Sequence, residues 1–114
     1  MRDLNFLNHA ITLAEKSPSR IRVAAIITDG ARIISRGVND MNKSHPLYAP
    51  ANIHAELACV LAAPYTDGCT IYIARINKKG EPVLAQPCKR CNALITQSGI
   101  RKVVFTTDSY ANVR

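Results

Sequence analysis

The sequence has no tryptophan, and aromatic residues make up only 5% of its 114 positions. Proteins that grip long single strands of nucleic acid stack successive bases on aromatic rings. This composition points away from such a platform. Acidic residues are also few: eight Asp and Glu stand against fifteen Lys and Arg, a formal net charge of +7. That balance suits an anionic partner, either a nucleotide phosphate or a nucleic-acid backbone. With so few rings, a small phosphorylated substrate is favoured over a polymer. No apolar run approaches the roughly 20 residues that span a bilayer. The opening Met1-Arg2-Asp3-Leu4-Asn5 leads into a mixed amphipathic stretch, not the apolar core of a signal peptide. A cytoplasmic protein is expected. No repeat or low-complexity tract breaks the chain, so one domain over residues 1–114 is expected.

Four cysteines do not make a disulfide scaffold in a reducing compartment. Cys59 and Cys69 lie among Leu57, Val60, Leu61 and Ile71, and read as buried structural thiols. The other pair, Cys88 and Cys91, forms a C-x-x-C.

Leu4, Leu7, Ile11 and Ala14 recur at helical spacing, and Ser17-Pro18 stops that helix. Residues 22–28 and 31–38 are apolar, β-branched runs around Asp29-Gly30, which predicts a hairpin. Residues 39–50 are polar and rich in breakers, and read as a loop. A helix is predicted over 54–63, with Asn52 as N-cap and Leu57, Ala58, Leu61 and Ala62 facing a core. Residues 69–76 read as a strand, followed by the turn Asn77-Lys78-Lys79-Gly80. Residues 81–86 suit a short ribbon that Pro82 confines to an edge. A helix over 88–98 with Gly99 as its C-cap and a strand over 101–107 complete the pattern. Strand, helix, strand at this end forms a βαβ unit, which should be parallel. The order predicts an α/β fold, a three-layer α/β/α sandwich on a mixed sheet of about four to five strands.

The chemistry concentrates in His54-Ala55-Glu56 and Pro87-Cys88-Lys89-Arg90-Cys91. One imidazole and two thiols suit a tetrahedral zinc and leave its fourth position for water, as in a catalytic site. Both pieces fall at predicted helix starts. There the helix dipole, with Lys89 and Arg90, should favour thiolates. Glu56 is then free to handle protons. Each piece alone is weak, since a lone C-x-x-C also serves redox chemistry or structural zinc. A closed structural site needs a fourth ligand; Cys59 and His45 are the spares, and Cys59 lies more than one turn from His54.

H-x-E followed by P-C-x-x-C resembles the zinc-dependent cytidine/deoxycytidylate deaminase superfamily. The likeness covers nearly the whole chain. It implies the cytidine deaminase type of sandwich, one Zn2+ per subunit held by His54, Cys88 and Cys91, and Glu56 as the proton shuttle. It implies hydroxide attack on the amine-bearing carbon of a cytosine or adenine ring. Asn39, which ends the second strand, would contact the sugar; turn chemistry is the equal alternative. Backbone groups near Ala55 and Gln86 would hold the base edge. Lys43 and His45 either meet a phosphate or are solvated loop residues. Family members commonly assemble, so a homo-oligomer is expected.

A histidine as first ligand is similar to the deoxycytidylate, tRNA-adenosine and guanine branches. Two features depart from the family. Leu57-Ala58-Cys59 replaces the asparagine that deoxycytidylate enzymes commonly carry there, and residues 73–80 insert a hairpin-like stretch before Pro87. After the fourth strand, a fifth strand and a final helix have little room. A deoxycytidylate-like nucleoside or nucleotide substrate is the first reading. A nucleic-acid editor on single-stranded DNA or RNA, using the charge of Arg75, Lys78 and Lys79, is the second. A non-catalytic zinc module is the third.

Overall fold

The computed structural model describes residues 2–18, 21–44, 52–107 and 110–113. Helix α1 spans Arg2–Ala14, and strands β1 (Arg22–Asp29) and β2 (Arg32–Val38) follow as the expected hairpin. Gly30 takes the left-handed conformation that this turn requires, at φ 61°. Strands β3 (Asp40–Ser44) and β4 (Asn52–Ile53) come next, then α2 (Ala55–Ala62), β5 (Thr70–Ile76), β6 (Pro82–Val83), α3 (Lys89–Gln97), β7 (Lys102–Thr107) and β8 (Tyr110–Val113).

The main sheet runs β2-β1-β5-β7-β8, with β6 added beside β5. β5 and β7 are parallel, and the other pairs are antiparallel. The βαβ unit read from the sequence is therefore present. Both faces of the central strands are buried, and the two-residue strand period sorts their side chains. Ala25, Ile27, Ile71, Ile73 and Phe105 enter one core with Ala55, Cys59 and Ile95 of α2 and α3. Ile26, Tyr72, Ala74 and Val104 enter another with Leu7 and Ala10 of α1. Helix, sheet, helix is the predicted three-layer sandwich. Asp3 fastens the outer layer, accepting from the Tyr72 hydroxyl at 2.6 Å and pairing with Lys102 at 2.6 Å.

Four expectations are corrected. Residues 40–44, expected as part of a loop over 39–50, instead pair with 52–53 in a small antiparallel ribbon, with Asp40 opposite Ile53; residues 45–50 of that expected loop lie outside the described residues. A ladder uses backbone groups, so polar side chains do not forbid it. Asn52 belongs to that ribbon, and His54 is the N-cap of α2. Leu61 is 51% exposed and Leu4 41% exposed, while Cys59 is fully buried. The phase of α2 is set by Ala55 and Cys59 packing on the sheet, which turns Leu61 outward. A fifth strand of the main sheet exists, β8, because four residues are enough to pair with β7.

Candidate active site

His54 has extended backbone, φ −82° and ψ 153°, and its ring makes no capping bond to α2. The imidazole is thus left available at the helix mouth. At the start of α3 the N-cap is Cys88, whose Sγ accepts from the Cys91 amide at 3.4 Å. An N-cap side chain bonds to the third helical residue in this way. The spacing of the C-x-x-C is therefore a helix-capping spacing, and it gathers both sulfurs at one end of α3.

These two helix starts meet. His54 Nδ1 lies 3.7 Å from Cys88 Sγ and 3.3 Å from Cys91 Sγ. All three donor atoms fall within 4.8 Å of one another. A tetrahedral zinc with ordinary Zn–S and Zn–N bonds spaces a sulfur and a nitrogen ligand by about 3.6 Å. The observed separations bracket that value, so the two sulfurs and one nitrogen fit zinc.

Glu56 is 6% exposed. Burial raises its carboxyl above the ordinary carboxylate range, opposed by its backbone N–H, by His54 and by the Cys91 thiol. A raised carboxyl beside the candidate metal ligands is suited to accept and return a proton. The expected thiolate field is corrected at Cys91. Burial, then the charge of Glu56, pushes that thiol up, and Arg90 offsets this only in part. A divalent cation held at this point would supply positive charge that favours the thiolate.

A cavity of about 310 Å³ opens beside these groups. His54, Ala55, Glu56 and Cys88 line its polar end, with Ala85 and Gln86 beside them. Ile21, Val23, Asn39, Arg75 and Leu84 complete its lining. The segment before Cys88 is pinned to the sheet, since Ala85 N–H donates to the Thr106 carbonyl at 2.9 Å.

Ala55, Gln86 and Asn39 are thus brought to the cavity that holds Glu56. Asn39 is 8% exposed and heavily bonded. Its Oδ1 accepts from Ser17 Oγ at 2.6 Å and from the Val23 amide at 2.9 Å; its Nδ2 donates to the Ile21 carbonyl at 2.6 Å. An asparagine amide has two N–H donors, and these bonds use one. Lys43 lies in β3 with its side chain outside the described residues, and His45 lies outside them altogether. Ile21, Val23 and Leu84 were not anticipated. Their place depends on strand register, which no local motif carries.

Residues 1–107 match the family described as Cytidine and deoxycytidylate deaminase zinc-binding region. The human protein named deoxycytidylate deaminase is 30% identical over 113 residues, covering 83% of this chain and 57% of its own length. This chain thus spans little more than half of that curated relative. The dCMP deaminase of cyanophage S-TIM5 shares the fold at TM-score 0.71 and 20% identity, over 92% of this chain and 82% of its own. That phage protein has also been solved in complex with dCMP and dUMP. Cytidine deaminase from Burkholderia pseudomallei superposes at TM-score 0.69 and 20% identity, over 96% of this chain and 89% of its own. With the motif, the fold and the match over residues 1–107 in agreement, the chain belongs to the cytidine and deoxycytidylate deaminase zinc-binding family.

Proposed function

We propose that this chain is a zinc-dependent hydrolytic deaminase that removes the exocyclic amine of a cytosine nucleoside or nucleotide, with a deoxycytidylate-like substrate favoured. One observation carries the reading: His54, Cys88 and Cys91 converge within 4.8 Å, and Glu56 lines the same cavity as His54 and Cys88. A closed structural zinc site would not need a buried carboxyl beside an open cavity. The human and phage relatives support the deoxycytidylate preference.

His54, Cys88 and Cys91 would hold the metal, whose Lewis acidity brings the ionisation of a water towards neutral pH. Glu56 would take one proton from the attacking water and deliver it to ring nitrogen N3 as the water oxygen adds to C4. It then carries the second proton from the C4 hydroxyl to the amine. The C–N bond breaks, ammonia leaves, and the ring keeps a C4 carbonyl. Burial of Glu56 serves both transfers, because a carboxyl above its ordinary range returns protons readily. Backbone groups at Ala55 and Gln86 hold the base edge, and the remaining Asn39 amide hydrogen serves the sugar.

Ultraviolet-monitored deamination of deoxycytidine, deoxycytidylate and a cytosine-bearing oligonucleotide tests this. Glu56→Gln should lower turnover by at least about 100-fold while zinc, measured by elemental analysis, stays at one per chain. Unchanged turnover in that variant would sink the assignment of Glu56. Tight zinc with no turnover of any substrate by the unmodified protein would leave the non-catalytic module. Turnover of the oligonucleotide alone would favour the polymer reading, which the net charge and the basic turn at Lys78 and Lys79 support.

A further inference from the structure

Strand β5 carries a residue that its own pattern does not explain. Ile71 and Ile73 point into the core beneath α2 and α3. Two residues further on, the same face carries Arg75, which is exposed. Val23 of β1 and Val83 of β6 flank it in register. An apolar residue would continue the stripe, yet a guanidinium stands there. Among the described residues its side chain has no hydrogen-bond or ion-pair partner.

Arg75 lies where two cavities adjoin. The first is the 310 Å³ cavity beside Glu56. The second, of about 400 Å³, shares Ile21, Arg75 and Leu84 with it, and is walled beyond them by Asn77, Lys78 and Val83. Among the described residues, no carboxylate lines it. Between the two cavities Ile21 and Leu84 form a half-exposed apolar sill, at 43% and 47% exposure. A base at Glu56 with its sugar over that sill would put the sugar's phosphate at Arg75 and Lys78.

The cationic end is built rigidly. Asn77 Oδ1 accepts from the Lys79 and Glu81 amides at 2.9 and 3.0 Å, and Gly80 turns the chain at φ 83°. Arg22 donates to the Asn77 carbonyl at 2.6 Å and ties the turn to β1. Thr106, fully buried, accepts from the Arg75 amide at 3.1 Å and donates to the Val83 carbonyl at 2.7 Å. The acid of this hairpin, Glu81, is itself bonded by Asn77 Nδ2 at 3.1 Å. A guanidinium carried on a braced backbone can meet phosphate oxygens in a fork, and a braced backbone loses little entropy on binding.

We infer that Arg75, with Lys78, is the specificity-determining anion subsite of this protein, receiving a phosphate attached to the sugar whose base lies at Glu56. This rests on the deaminase reading for the base and adds what selects the rest of the substrate. The phosphate is either the terminal group of a monophosphate or an internucleotide group.

The test measures kcat/KM on deoxycytidine, deoxycytidylate and a short cytosine oligonucleotide for the unmodified protein, Arg75→Gln and Lys78→Gln. Arg75→Gln should lower the preference for phosphorylated over unphosphorylated substrate by about 10- to 100-fold, the worth of a charge-assisted bond, and Lys78→Gln by less. Loss against the monophosphate identifies the terminal phosphate; loss confined to the oligonucleotide identifies the internucleotide one. An unchanged preference overturns the proposal. Should Arg75→Gln fail to fold, Lys78→Gln on the exposed turn carries the comparison. A second readout is independent of turnover: inorganic phosphate titrated into the protein while backbone amide resonances are followed. Shifts at residues 75–84 that vanish in Arg75→Gln support the subsite even where no substrate is deaminated and the deaminase reading fails. Absence of those shifts in the unmodified protein overturns it.

Discussion

A Cβ placed on Gly37 would lie 2.7 Å from the amide nitrogen of Cys59 and 2.9 Å from the carbonyl oxygen of Ala55. Both are backbone atoms, which cannot swing aside as a flexible side chain does. Helix α2 therefore rests on bare backbone of β2, and that close approach sets the height of His54 and Glu56 above the sheet.

Gly37→Ala should push α2 outwards by several tenths of an ångström. The cost is that of overpacking, about 1–3 kcal/mol, read from the denaturant midpoint. The displacement moves His54 relative to Cys88 and Cys91, which sit on α3. Zinc affinity, measured by competition with a chromophoric chelator, should fall along with stability. Lower stability with unaltered zinc affinity would mean that α2 and α3 shift together.

Asn39 ties three elements. Ser17, after α1, donates to its side chain and its carbonyl at 2.6 and 3.0 Å, and the Ile21 and Val23 backbone groups bind its amide. Asn39→Asp keeps the accepting oxygen but sets a second oxygen against the Ile21 carbonyl. It should cost about 1–3 kcal/mol and raise KM for the nucleoside. Ser17→Ala removes bonds to the same residue from the side away from the cavity lining. It should lower stability and leave KM unchanged. If both variants move KM alike, Asn39 acts only as a brace.

The site was legible in the sequence because each half is local. Cys88 and Cys91 are joined by a capping geometry that fixes their spacing within one helical turn, and His54 and Glu56 flank a single residue at the next helix start. Their meeting needed only the α/β order, which the apolar runs at β1, β5 and β7 carry. What escaped was relational. The phase of α2 depends on Gly37 admitting the helix at Cys59, so Leu61 looked like core and is exposed. The ribbon of β3 and β4 pairs Asp40 with Ile53 and Ser44 with Asn52 through their backbones. Arg75 looked like one charge of a basic turn; its position between two cavities follows from register with Val23 and Val83.

Cys59 offers a pH prediction free of the metal ligands. Burial pushes its thiol up to about 11 from an ordinary 9.0, with the Ser35 hydroxyl and the Ile27 backbone offsetting part of the effect. The folded protein thus holds this proton more tightly than the unfolded chain. The sign follows: the stabilising effect is complete below about pH 9 and is lost as pH rises through about 11, because the unfolded thiol ionises first. The loss is at most about 3 kcal/mol, at about 1.36 kcal/mol per pH unit. Cys59→Ala lowers stability at neutral pH by the small cavity it opens, about 1 kcal/mol, but has no thiol to titrate. Denaturant midpoints taken from pH 7.5 to 10.5 should therefore fall more steeply for the unmodified protein than for the variant, so that the gap between the two curves closes and then reverses. Parallel curves would mean that water reaches the thiol and that the packing of α2 on Ser35 and Gly37 is looser than the 2.6 Å bond from Ser35 Oγ to the Cys59 carbonyl implies.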